Sequence, residues 1–159
     1  MIHVKTKIDR ADKDLIAELG TFSAATIHEA QGRKGSLHPA IKPIDRDMKF
    51  CGSAFTVKCH PRDNLMLQVA ISYAQPGDVL IVSSGDQAAG QFGDVLANAC
   101  VARGITALVT DGGVRDTREI RELGIPRLLQ ARVHRGNRQG ISRPDQPSPG
   151  LRRTGHLSR

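Results

Sequence analysis

The sequence predicts an α/β domain with at least some parallel strand pairing. Three observations predict it. Short apolar runs of strand length recur through residues 1–126, segments of helical periodicity separate them, and glycine or proline punctuates most junctions. At 159 residues the chain is long enough for one domain with a real core. It has no Trp, one Tyr and four Phe, so that core must rest on Leu, Ile, Val and Ala.

The elements follow in order. ADKDLIAELG (11–20) and SAATIHEAQG (23–32) read as short helices, closed by Gly20 and Gly32. CGSAFTVKCH (51–60) reads as a strand, with Ser53, Phe55, Val57 and Cys59 on alternate positions. In PRDNLMLQVAISYAQPGD (61–78), Asp63 or Asn64 can cap a helix. Its Leu65, Met66, Val69, Ala70 and Tyr73 share one face, and Pro76-Gly77 stops it. DVLIVSS (78–84) is a buried strand, FGDVLANACVARG (92–104) a helix and ITALVT (105–110) another buried strand. DGGVRD (111–116) then leads into the helix TREIREL, which Gly124 and Pro126 close.

After Pro126 the pattern fails. Residues 127–159 hold eight Arg, three Pro and no Lys, with no sustained apolar period. We therefore divide the chain into a domain over 1–126 and a tail over 127–159, expected to be disordered or poorly packed. An alternative reading frame of a G+C-rich gene yields such a composition, so the tail is expected to reflect a frame shift near Pro126. An intact mass and a re-read of the coding DNA test this.

Charge follows the same division. Residues 1–126 balance 15 Lys and Arg against 15 Asp and Glu, so the formal net charge of +7 lies wholly in the tail. A basic groove for nucleic acid would spread cations over the folded elements, so nucleic acid is not the expected partner. The N-terminal MIHVKTKIDR lacks a signal-peptide stretch, and no run approaches a membrane span of about 18 apolar residues. Cys51, Cys59 and Cys100 include no C-x-x-C pair, which points to a reducing, cytoplasmic setting.

Four stretches could carry chemistry. Gly90 and Gly93 precede a helix whose first turn holds Asp94, Val95 and Leu96; free amides there could hold an anion, or Asp94 could simply cap the helix. In DGGVRDTRE, Asp116 and Glu119 resemble a capping box. The alternative gives Arg115 a substrate oxygen, through its planar and permanently charged fork, and Asp116 a hard cation such as Mg²⁺ or Mn²⁺. HEAQGRKG offers His28, Glu29, Arg33 and Lys34, but adjacent His28 and Glu29 diverge on a helix and read equally as a solvated helix end. Lys58, within a strand, could form a Schiff base, although nothing in its surroundings singles it out.

Taken together, ATIHEAQGRKG, GSAFTVKC, DNLMLQVAI, PGDVLIV and the pair Gly93-Asp94 … Arg115-Asp116 resemble one family. This is the class II, metal-dependent 4-hydroxy-4-methyl-2-oxoglutarate/4-carboxy-4-hydroxy-2-oxoadipate aldolase family, related to regulator of ribonuclease activity A. The likeness covers roughly residues 15–126. It implies a swivelling β/β/α domain and retro-aldol cleavage of a 4-hydroxy-2-oxo diacid to pyruvate plus pyruvate or oxaloacetate, with oxaloacetate decarboxylase side activity. By the resemblance, Arg115 binds the pyruvoyl end and stabilises the enolate, while Asp116 ligates Mg²⁺ or Mn²⁺. Asp94 reaches the metal through water, and amides near Gly93, Val95 and Leu96 hold the substrate carboxylate. Glu29 reaches the metal's water shell from a neighbouring subunit of a homotrimer or hexamer. The related regulators generally lack an acid after the arginine, so Asp116 favours aldolase over a non-catalytic, ribonuclease-binding module. The further sheet-forming stretch with which the family continues beyond ELGIP is not recognisable in this sequence.

Overall fold

The computed structural model describes residues 3–5, 7–85 and 89–123, and the backbone of 127–131. Two short helices come first, α1 (Lys13–Leu19) and α2 (Ala24–Ala30), followed by strands β1 (Ile41–Pro43) and β2 (Ser53–Lys58). Then come α3 (Leu65–Tyr73), β3 (Asp78–Ser83), β4 (Gly90–Phe92), α4 (Asp94–Ala102), β5 (Ala107–Thr110), β6 (Gly113–Val114), α5 (Thr117–Glu122) and β7 (Arg127–Ala131).

Five strands form one sheet in the order β1-β7-β5-β3-β2. β2, β3, β5 and β7 run parallel, and β1 pairs antiparallel with β7. From β2 to β7 the chain always steps in the same direction across the sheet. Crossovers of one hand then put α3, α4 and α5 on one face, and the core lies there. Phe55, Val57, Leu80, Val82 and Leu108 of the strands meet Leu67, Ala70, Ile71, Ala97, Cys100 and Ile120 of the helices. Among the described residues the opposite face carries a small cluster of Val79, Ala107 and Val109, flanked by Ile41, Phe50 and Ile81. The predicted α/β class and parallel pairing hold.

Local signals explain several boundaries. Asp12 caps α1, its carboxylate accepting from the N–H groups of Asp14 and Leu15. α2 ends beside Gly32, whose φ of 70° suits a glycine just past a helix end. At α3, Asn64 holds the cap position but makes no capping bond with its side chain; Asp63 accepts from the Leu65 N–H at 2.8 Å.

Two expectations need correction. The apolar face of α3 is not the one predicted: Leu67, Ala70 and Ile71 are buried, while Leu65 and Tyr73 are exposed. LMLQVAISY is apolar nearly all round, so helical spacing defines more than one stripe and tertiary packing selects among them. The boundary at Pro126 also falls too early, because Arg127–Ala131 forms β7, hydrogen-bonded between β5 and β1. A basic first residue and a five-residue length hid that strand. The tail beyond Ala131, and with it any frame shift there, lies outside the described residues, as do the Gly124 and Pro126 breakers of α5.

One buried ion pair ties the N-terminal segment to the sheet. Arg10 donates to both carboxylate oxygens of Asp78, at 2.9 and 2.8 Å, and Asp78 is 1% exposed. Burial by itself pushes the Asp78 carboxyl up. Hydrogen bonds from Arg10 and the Gln75 amide outweigh it and hold the carboxyl below its usual range.

Candidate active site

The C-terminal ends of β3 and β5 carry a second, two-stranded sheet in which β4 and β6 pair in parallel, Gly90 opposite Gly113 and Phe92 opposite Val114. β4 runs directly into α4 and β6 into α5. The pairing therefore sets two helix starts side by side, beyond the carboxyl ends of the parallel strands. The two halves of the sequence motif, Gly93-Asp94 and Arg115-Asp116, meet there.

Contact between them is close. The Arg115 N–H donates to the Phe92 carbonyl at 3.0 Å. A Cβ on Gly93 would lie 2.5 Å from Asp116 Oδ2, 2.9 Å from Arg115 Nε and 3.0 Å from Arg115 Cγ, so any other residue there would push both side chains aside. One on Gly90 would touch the Arg115 stem at 3.4–3.5 Å. The two glycines thus form the bed on which Arg115 lies. Asp116 Oδ2 stands 3.4 Å from both Arg115 Nε and the Asp94 N–H, a loose electrostatic arrangement open to solvent.

Neither capping alternative describes these carboxylates. Gly93, not Asp94, is the cap of α4, and Asp94 Oδ1 accepts only from the adjacent Val95 N–H at 2.8 Å. The first intrahelical bond runs from the Ala97 N–H to the Gly93 carbonyl. Of the three amides before Ala97, that of Val95 is taken by Asp94 Oδ1 and that of Asp94 faces Asp116 Oδ2, while that of Leu96 has no intrahelical acceptor. Asp116 occupies the cap position of α5 without a capping bond from its side chain. Its backbone is left-handed (φ 56°, ψ 36°), a conformation that costs a non-glycine residue about 1 kcal/mol and that concentrates at functional sites.

The acidic donors suit a hard divalent cation. The Asp116 carboxylate is 35% exposed and has no capping bond, and Asp94 stands at the neighbouring helix start. Mg²⁺ and Mn²⁺ typically take one or two protein carboxylates and keep several waters. Glu29 is not brought to this group within one chain. It is exposed on α2 and pairs with Arg33 at 3.0 Å. Among the described residues of one chain, no three His, Cys, Asp or Glu side chains converge as a metal site. His28 Nε2 is 3.1 Å from Ser36 Oγ, and Lys58 is exposed at the end of β2.

Sequence reading missed several residues that build the site. Gln91 is buried in β4, and its Nε2 donates to the carbonyls of His60 and Asp63 at 3.1 and 3.2 Å. The Asn64 amide donates to the Gln91 carbonyl at 3.2 Å. Asp111 closes the end of β3, accepting from the Ser84 N–H and from Ser83 Oγ at 3.1 Å. A polar residue inside the short stretch Gly90-Gln91-Phe92 was the available signal for Gln91. Its partners, some thirty residues away, left none. Two cavities, of about 320 Å³ beside the N-terminal segment and about 520 Å³ on the helix-free face, are lined by neither Arg115 nor Asp116.

Comparison with known proteins identifies the family and the fold. A family model described as RraA-like, Aldolase/RraA, matches residues 16–147, past the point where sequence reading lost the family's pattern. A Halalkalibacterium halodurans protein named "Putative 4-hydroxy-4-methyl-2-oxoglutarate aldolase" is 31% identical over 120 residues, covering 75% of this chain and 57% of that one. A Burkholderia multivorans protein of the same name is 29% identical over 120 residues, covering 74% of this chain and 73% of that one. The solved structure of Streptomyces coelicolor RraAS2, described as an unusual member of the RNase ES inhibitor RraA protein family, is 29% identical with a TM-score of 0.68. That match covers 79% of this chain and 65% of the Streptomyces chain. The chain thus spans less than two thirds of the length of the Halalkalibacterium and Streptomyces proteins. Among the described residues no helix is long and apolar enough to cross a membrane.

Proposed function

The chain belongs to the RraA-like, Aldolase/RraA family, and from that premise we propose that it is a divalent-metal-dependent aldolase. Its substrate would be 4-hydroxy-4-methyl-2-oxoglutarate or 4-carboxy-4-hydroxy-2-oxoadipate, cleaved to pyruvate plus pyruvate or oxaloacetate. One observation carries the reading: Arg115 and Asp116 stand against the Gly93-Asp94 start of α4, with the Asp116 carboxylate turned from its own helix toward that start.

The chemistry suits these side chains. In retro-aldol cleavage the C4 hydroxyl gives up its proton, the C3–C4 bond breaks, and its electron pair moves onto the C2 oxygen as an enolate. Protonation at C3 then gives pyruvate. Arg115 offers its guanidinium where that oxygen charge develops, and it remains cationic at any working pH. The Leu96 amide, and that of Val95 once it exchanges its bond to Asp94 Oδ1 for one to the ligand, would hold the substrate carboxylate at the positive end of α4. Asp116 would ligate Mg²⁺ or Mn²⁺, with Asp94 and a neighbouring subunit's Glu29 reaching it through water in a trimer or a dimer of trimers. When bound, the cation would supply Lewis-acid polarisation of the 2-oxo group. Oxaloacetate, losing CO₂ to give the same enolate, would be a side substrate.

The test is pyruvate release from either diacid with and without Mg²⁺. Turnover that disappears with EDTA and in Asp116→Asn supports the reading; turnover indifferent to both sinks it. A second reading rests on the likeness to RraAS2. There the chain is a non-catalytic module for a protein such as a ribonuclease, and metal-independent binding of that partner without pyruvate release would select it.

A further inference from the structure

We infer that Gln91 is a positioning residue for Arg115, acting through the β4–β6 pair and not by touching substrate; its functional consequence rests on the aldolase reading, its structural one does not. Four observations converge on it. Gln91 is only 6% exposed, although it lies in a three-residue strand at the rim of the fold. Its side-chain amide spends both donor hydrogens on the His60 and Asp63 carbonyls, at 3.1 and 3.2 Å, which fixes the loop between β2 and α3 against β4. The Asn64 amide closes the clamp from the other side by donating to the Gln91 carbonyl at 3.2 Å. The adjoining Phe92 carbonyl then receives the Arg115 N–H at 3.0 Å, and flanking Gly90 and Gly93 form the bed of the Arg115 side chain.

Phe92, 1% exposed, anchors the end of β4 in the core, but the strand's own ladder is slight. Among the described residues β4 pairs only with the two-residue β6, with a register irregularity between Gly90 and Phe92. A strand so short has few ladder bonds of its own, so the buried Gln91 hydrogen bonds fix its place together with the core packing of Phe92. The opposite end of the same amide turns toward the DGGVRD turn. A Cβ on Gly112 would lie 3.2 Å from Gln91 Oε1 and 2.8 Å from Ser84 Oγ. Neither oxygen has a hydrogen-bonding partner among the described residues. The side chain therefore spans from the 60–63 loop to the turn that delivers Arg115. It keeps a buried oxygen without a hydrogen bond, which global stability alone would not favour.

Gln91→Met in the full chain tests this. The change keeps the length, removes both donors and removes the unpartnered oxygen. Because a lost clamp and a relieved penalty act in opposite directions, the melting temperature should change little. Amide hydrogen exchange read residue by residue should show a loss of protection of about 10- to 100-fold at Arg115, while Leu80 and Leu108 in the main sheet keep theirs. Unchanged protection at Arg115 overturns the inference. So does a uniform loss at all three, which would make Gln91 merely structural. Should Gln91→Met fail to fold, Asn64→Ala decides by the same reading, with a smaller local loss expected and an unchanged Arg115 amide counting against the proposal. Absence of pyruvate release from the unmutated chain would sink the aldolase reading and leave the exchange result standing.

Discussion

Gly93→Ala should separate the site from the fold. The added Cβ would meet Asp116 Oδ2 at 2.5 Å, whereas real Cβ contacts essentially never fall under 3.0 Å, so the carboxylate must retreat by at least about 0.5 Å. Reaching ordinary contact at 3.4 Å takes about 0.9 Å, and Arg115, met at 2.9–3.0 Å, must shift as well. Both side chains can yield toward solvent, being 35% and 68% exposed, and the extended backbone of Gly93 (φ −150°) accepts alanine. Relief through these exposed groups costs little, and a gain of about 0.4–1 kcal/mol from stiffening the unfolded chain offsets it. The folded chain should therefore stay within about 1 kcal/mol of the original. A displacement approaching 1 Å in a charge-stabilising pair should instead lower kcat/KM about 100-fold, equivalent to about 2.7 kcal/mol in the barrier. Gly52→Ala is the control, because its Cβ would lie 2.3 Å from the Gly77 carbonyl oxygen and 2.9 Å from Val79 Cγ2, which include backbone that cannot swing away. That variant should lose about 2–3 kcal/mol of stability while its folded fraction keeps its kcat/KM. The assay is pyruvate release coupled to NADH oxidation, beside urea melts of all three proteins. A Gly93→Ala chain that keeps kcat/KM within threefold, or that is destabilised as much as Gly52→Ala, would refute the reasoning.

Other outcomes follow from the same geometry. Asp116→Asn should lower Mg²⁺-dependent turnover by at least about 100-fold while changing the melting temperature little, since the side chain makes no capping bond; calorimetric Mg²⁺ titration checks the loss of affinity. Arg10→Ala should cost about 2–4 kcal/mol at pH 7, toward the low side of buried-pair losses because Arg10 is itself 22% exposed; denaturant melts measure it. Its pH dependence has a defined sign. Asp78 is held below its usual range, so its contribution is complete above about pH 4 and fades as pH falls through the depressed value, and the gap between the two proteins should narrow in acid. Burial raises the Cys59 thiol and pushes Cys100 up to about 12, whereas Cys51 is half-buried, so a thiol reagent at pH 8 should modify Cys51 rapidly and the other two only on unfolding. Rapid labelling of Cys100 in the native chain would contradict the packing of α4.

The three strands β2, β3 and β5 of the main sheet were legible because they are buried and the helices between them have clear stops. Phe55, Val57 and Cys59 alternate inward as the spacing required, and the apolar runs of β3 and β5 became central strands buried on both faces. Strands of two or three residues were not legible: β1, β4 and β6 hold too few residues to display a period. Their existence depends on partners far along the chain, as the pairing of Ile41 with Ala131 shows. The face of α3 failed for another reason. An almost wholly apolar helix contains several acceptable stripes, and only the sheet beneath it chooses one.

The site shows the same limit at the level of single side chains. An aspartate beside a helix start has one local signature whether it caps the helix or faces a ligand, so spacing alone left both roles open for Asp94 and Asp116. What separates the roles is a distance between segments twenty-two residues apart, the 2.5 Å that a Gly93 Cβ would leave to Asp116. The second glycine of the motif is therefore a close-packing requirement, and the left-handed Asp116 backbone is what turns its carboxylate toward α4 instead of its own helix. A protein that needed only two capped helices would gain by relaxing both features. Their presence together, with the capping bond forgone, argues that this corner is shaped for a ligand.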